Sequence, residues 1–109
     1  ITGAYVACKL AIDSLIKDGL IAEDPFKDSI AAVSVGIYKE QEILDLNYPE
    51  DRDASVDFNV VMTGSGDFVE VQGTGEESVF SRVQLDRMLE LAGTGCKSIE
   101  SLQKQATSL

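Results

Sequence analysis

The 109-residue sequence predicts an α+β fold, a four-stranded, mostly antiparallel sheet with one helix before it and two after it. Three observations carry that expectation. Apolar residues recur at intervals of three and four near both ends of the chain, the period of a helix with one buried stripe. Between those ends lie short runs rich in Val, Ile and Phe, either alternating with polar residues or apolar on both sides, as strands do. Turn-forming residues separate the runs, so neighbouring strands pair as hairpins.

Ile1, Ala4, Tyr5, Cys8, Ala11, Ile12, Leu15 and Ile16 form the first stripe and predict a helix over 1–17. Gly19 follows as a residue suited to a left-handed cap, where the absence of a β-carbon removes the cost of positive φ. No Ser, Thr, Asp or Asn precedes this helix and no initiator methionine opens the chain. The expectation is therefore a piece of a larger protein, with further structure ahead of Ile1.

After Asp24-Pro25, where proline disfavours helix in its predecessor, Ile30 to Tyr38 reads as a strand covered on both faces. Ile43 to Leu46 is its expected partner across a turn at Lys39, Glu40 and Gln41. Val56, Phe58, Val60 and Met62 alternate with Asp57, Asn59, Val61 and Thr63, predicting a third strand with one apolar face. Gly64 to Asp67 supplies the next turn, and Phe68 to Gln72 the fourth strand. Ser81 and Gln84 fit a capping box ahead of a stripe of Val83, Leu85, Met88, Leu89 and Ala92. Gly93 and Gly95 are expected to end that helix, and a separate polar helix runs from Cys96 to about Thr107.

Composition narrows the function classes. The chain is 44% hydrophobic and 26% charged, the balance of one folded domain. It has no apolar run of about 18 residues and no secretory signal pattern, so the expectation is a cytoplasmic protein with no membrane span. Cys8 and Cys96 belong to no C-x-x-C pair, which predicts reduced thiols. With no histidine, Ser-His-Asp and Cys-His nucleophile activation are excluded within this chain. A net charge of −10 repels polyanions and, taken alone, argues against RNA.

Two segments invite chemistry. Between Glu50 and Asp57 lie four acids and one arginine. Converging carboxylates repel unless a shared proton or a divalent cation offsets them, so this is either a magnesium or manganese site or a solvated acidic loop. Gly73 to Glu77 has the glycines of a phosphate loop but not its Gly-Lys-Ser/Thr ending, and Glu76 and Glu77 repel anions. A turn ahead of the Ser81 helix is expected there.

Several blocks in order resemble the ribonuclease PH family: Ile1 to Ala7, Ala31 to Gly36, Leu46-Asn47-Tyr48 with Glu50-Asp51, Val56 to Met62, and Val71 to Glu76. The resemblance covers essentially the whole chain and corresponds to the carboxy-terminal half of the family's domain. It implies half of a ribosomal protein S5 domain 2-like fold. The activity it implies is phosphorolytic 3′-to-5′ exoribonuclease, a transfer-RNA nucleotidyltransferase that trims precursor 3′ ends with inorganic phosphate and releases nucleoside diphosphates. Asp51 and Asp57 match the family's two active-site aspartates, which the resemblance makes both catalytic residues and ligands for Mg2+ or Mn2+.

The family's phosphate-binding Gly-Gly-Thr-Arg-Thr loop and an earlier arginine lie in an amino-terminal half this sequence does not contain. The resemblance therefore implies that half as a partner, a hexamer built as a trimer of dimers, and little activity for this piece alone. A non-catalytic ring scaffold of the same fold is the alternative, which retention of both aspartates disfavours. Six extended residues span roughly 20 Å, so a bend at Arg52, Asp53 and Ala54 is expected to bring the two carboxylates together.

Overall fold

The computed structural model describes residues 1–108. Its elements are α1 (Thr2–Lys17), β1 (Ile30–Tyr38), β2 (Gln41–Leu44), α2 (Tyr48–Asp53), β3 (Val56–Thr63), β4 (Phe68–Gly75) and α3 (Arg82–Thr107). The strands form one antiparallel sheet in the order β2-β1-β3-β4. Among the described residues, no helix is long and apolar enough to cross a membrane.

The register explains the core. Ala31, Val33, Val35 and Ile37 of β1 pair with Met62, Val60, Phe58 and Val56 of β3 and so share a face. Met88, Ala92 and Cys96 of α3 complete the buried cluster against them. Val35, Val56, Val60 and Met88 are fully enclosed. Asp57 and Asn59 alternate with these residues along β3 and therefore project from the opposite face.

Expectation and structure differ in several places. The two final helices are one: α3 runs unbroken for 26 residues. Interior glycine costs only about 1 kcal/mol against alanine, and it ends a helix by adopting positive φ. Positive φ is found at Gly19 and Gly66, not at Gly93 or Gly95. A β-carbon on Gly95 would lie 2.9 Å from Leu44 Cδ1, so this glycine serves close approach of β2 to the helix.

The first hairpin turns sooner than expected, with Lys39 (φ 50°) and Glu40 (φ 65°) as its two turn residues and β2 spanning Gln41–Leu44. Both turn positions take the left-handed backbone that Asn and Gly favour, so local residue preference concealed the turn. Strand β4 extends to Gly75, three residues beyond the expected Gln72. Gly73 and Gly75 pair with Phe58 and Val56, so they are strand rather than turn. A β-carbon on Gly73 would fall 2.2 Å from the Phe58 ring, which lies over it and meets Phe80 edge-to-face at 5.1 Å.

The apolar stripes are only partly enclosed. Val83 is 69% exposed, and α1 buries none of its residues fully. Helix α1 is instead tied down by polar bonds. Thr2 Oγ1 accepts from the Ala32 amide at 3.2 Å, while Gln103 Nε2 donates to the carbonyls of Thr2 and Ile30. Gly19 follows α1 in the expected left-handed conformation. Cys8 is exposed and Cys96 buried, both as free thiols.

The capping box at α3 forms as expected. Ser81 Oγ accepts from the Gln84 amide at 3.1 Å, and Gln84 Oε1 accepts from the Ser81 amide at 2.8 Å. Ser81→Ala is expected to lower stability by about 1 kcal/mol, read as a shifted urea midpoint at unchanged slope. Ser81→Asp should retain most of it, and equal loss in both variants would show that the cap is not the cause.

Candidate active site

Asp51 reaches the sheet on a short helix that the sequence reading missed. Asn47 Oδ1 accepts from the Glu50 amide at 3.0 Å, and Glu50 Oε1 accepts from the Asn47 amide at 2.9 Å. This is a second capping box, with Pro49 in the first turn, where its missing amide hydrogen is harmless. Asn47, Pro49 and Glu50 were the available signal. The expected bend at Arg52, Asp53 and Ala54 is thus the end of α2 and its exit.

The helix solves the distance problem. Helical residues advance about 1.5 Å each, against about 3.3 Å in a strand, so Asp51 stays near the start of β3. The exit is pinned by buried Ala54 and by Ser55, whose amide and hydroxyl both donate to the Ile37 carbonyl, at 2.9 and 3.3 Å. The Ser55 carbonyl accepts from the Glu76 amide at 2.9 Å, drawing the end of β4 to the same place.

Asp57 is the second residue of β3, between Gly36 of β1 and Thr74 of β4. Gly36 leaves room for this pairing, since a β-carbon there would lie 2.3 Å from the Val56 carbonyl oxygen. The structure brings both predicted aspartates together: the Asp51 and Asp57 carboxyls are within hydrogen-bonding reach. Partial burial, that hydrogen bond and the charges of Asp51 and Glu76 push the Asp57 carboxyl up to about 6. Glu76, read from the sequence only as an acid that repels anions after Gly75, acts here as a neighbour of the pair.

Arg52 does not neutralise the pair, because its guanidinium donates to both Asp53 carboxylate oxygens, at 3.0 and 2.9 Å. Among the described residues, no three carboxylate, cysteine or histidine groups form a ready metal cluster. Two converging carboxylates with excess charge nevertheless suit magnesium, which is commonly held by one or two carboxylates and completed by water and substrate phosphate.

The raised Asp57 pKa has a consequence for stability in metal-free buffer. Between about pH 4, where unfolded aspartate ionises, and about pH 6, the folded state binds the extra proton, so Asp57 makes stability fall as pH rises. Above about pH 6 that destabilisation is fully in force. Asp57→Asn is therefore expected to be more stable than the parent at pH 7.5 and nearly equal to it at pH 3.5. Urea unfolding of both proteins at the two pH values checks this, and the difference between them removes contributions from carboxylates that do not interact with Asp57. An equal difference at both pH values would refute the crowded pair.

Comparison with known proteins agrees with this architecture. Residues 28–95 match the 3′ exoribonuclease family, domain 2. Ribonuclease PH of Crocosphaera subtropica is 54% identical over 108 residues, covering 99% of this chain and 45% of that protein. Ribonuclease PH of Syntrophomonas wolfei is 55% identical over 104 residues, covering 95% and 44%, respectively. The crystal structure of rice Rrp46 superposes with a TM-score of 0.68 at 22% identity, over 97% of this chain and 46% of that one, a likeness of fold. The chain spans less than half the length of these relatives and corresponds to the carboxy-terminal half of ribonuclease PH. By that match over most of its length, the chain belongs to the 3′ exoribonuclease family, as its domain 2.

Proposed function

We propose that, within a protein of the relatives' length, this chain supplies the acidic side of a phosphorolytic 3′-to-5′ exoribonuclease site. The observation that carries the reading is the meeting of Asp51 and Asp57, whose mutual repulsion is costly unless the site holds a cation or proton. The relatives named ribonuclease PH support the reaction class. The substrate is the 3′ end of a transfer-RNA precursor, and the setting is a cytoplasmic homo-oligomer, a hexamer arranged as a trimer of dimers. The amino-terminal half provides the phosphate-binding loop.

In the reaction, an oxygen of inorganic phosphate attacks phosphorus of the terminal phosphodiester. The bond from phosphorus to the preceding 3′ oxygen breaks, a nucleoside diphosphate leaves, and that 3′ oxygen takes a proton. Asp51 and Asp57 would hold a magnesium or manganese ion through carboxylate oxygens, and one of the pair passes a proton given up by the attacking phosphate to the leaving 3′ oxygen. The ion, when bound, neutralises charge on the phosphoryl oxygens. The sheet and the capped α2 hold both carboxylates in place before substrate arrives, which is how charge stabilisation avoids reorganisation during the reaction.

The test is product analysis with the full-length protein and an RNA bearing a 3′ extension. Nucleoside diphosphates should form only when phosphate and a divalent cation are both present. Nucleoside monophosphates formed without phosphate would replace phosphorolysis with hydrolysis, and no release under any condition would favour a ring scaffold.

A further inference from the structure

We propose that Tyr48, with Arg52 against its ring, holds a base of a single-stranded RNA 3′ end beside Asp51 and Asp57. The assignment deepens the reading above and rests on it for the position of the reacting phosphate. Helix α2 carries Tyr48, Asp51 and Arg52 together. Separations of three and four residues place Tyr48 next to both others, with side-chain origins about 5–6 Å apart. Tyr48 is 73% exposed, and the Arg52 guanidinium carbon lies 5.8 Å from its ring centroid.

A second aromatic and cation pair adjoins it at the β1–β2 turn, where Lys39 Nζ lies 5.2 Å from the Tyr38 ring centroid. The two pairs lie at the same end of the sheet, since Ser55, just past α2, donates to the carbonyl of Ile37, the residue before Tyr38. Elsewhere Lys9, Arg82, Arg87 and Lys104 are ion-paired with carboxylates, and Arg52 is paired with Asp53 while its guanidinium also lies against the Tyr48 ring. Among the described residues, Arg52 and Lys39 are the cations set over tyrosine rings.

An exposed ring with an arginine against it offers a base both a π face and positive charge, independent of sequence. The rest of this acidic surface repels RNA, so affinity must concentrate where such groups lie. A base is separated from its own phosphate by one ribose. A phosphate at the aspartate pair therefore sets its base near the adjoining side chains of α2.

The experiment measures equilibrium binding of a single-stranded oligoribonucleotide to the full-length protein, with magnesium present and phosphate absent so that no phosphorolysis occurs. Tyr48→Ala is expected to weaken binding roughly 5- to 100-fold, and Tyr48→Trp to retain it. Oligonucleotides made abasic at one of the last three positions then close a thermodynamic cycle. At the stacked position the Tyr48→Ala penalty vanishes, which loss of a merely structural role does not produce. Unchanged affinity, or an equal penalty on every abasic oligonucleotide, overturns the proposal. Altered sedimentation with unchanged RNA affinity assigns the ring to a protein contact and also overturns it. Because binding is read without turnover, failure here is distinct from failure of the catalytic reading, which appears as active Asp51→Asn and Asp57→Asn enzymes.

Discussion

In a full-length enzyme carrying this sequence, Asp57→Asn should lower phosphorolytic turnover on the order of 100- to 1000-fold, the effect of removing one preorganised electrostatic group. Asparagine keeps the side chain's size and can still hydrogen-bond Asp51, so the change isolates charge. Folding should survive and, at neutral pH, improve, because the partial burial of a charge and the like-charge repulsion that push Asp57 up to about 6 are relieved. Opposite signs for activity and stability separate a working carboxylate from a structural one. Asp67→Asn, in the exposed β3–β4 turn, is the control. Nucleoside diphosphate release at fixed phosphate and magnesium provides the rate. Near-normal rates for both Asp51→Asn and Asp57→Asn would remove the pair from the mechanism.

Phe58→Ala should destabilise the protein by about 3–5 kcal/mol, the usual cost of emptying an aromatic site in a packed core. The Phe58 side chain is enclosed, with its ring over Gly73 and edge-to-face against Phe80. Removing it leaves a cavity and uncovers the β4 backbone at Gly73. Single domains have a total stability of about 5–15 kcal/mol, so this loss is a large part of the whole. Phe58→Leu should lose distinctly less. Urea midpoints at constant slope report the difference, and a loss below about 1 kcal/mol for alanine would show that the ring is not packed as described.

The legible parts of the fold were those where local pattern and tertiary role agree. Strand β1 was read to its final residue and β3 was read by its alternation, because burial of one or both faces imposes a period that composition displays. The α3 cap was legible because its bonds join residues only three apart. The same logic applied to Asn47 and Glu50, but the surrounding acids drew attention to charge, and α2 was passed over as a bend. Gly93 and Gly95 misled because a glycine's sequence does not say whether it supplies positive φ or space. Contact between Leu44 and Gly95 decides that, and those residues lie far apart along the chain.

The candidate site divides in the same way. Asp51 and Asp57 could be named from residue type and ordered family blocks, since a carboxylate's chemistry belongs to the residue itself. Their meeting, the addition of Glu76, and the proton held near neutral pH arise only when α2, β3 and the end of β4 converge. By itself the sequence determined strand faces, helix caps and the identity of the acids, because each depends on periodicity or neighbours within a few residues. Only the tertiary structure decided that the last helix is continuous, that Gly73 lies beneath an aromatic ring, and that like charges share one place. Those outcomes depend on distances between segments remote along the chain, where packing of the whole domain outweighs local preference.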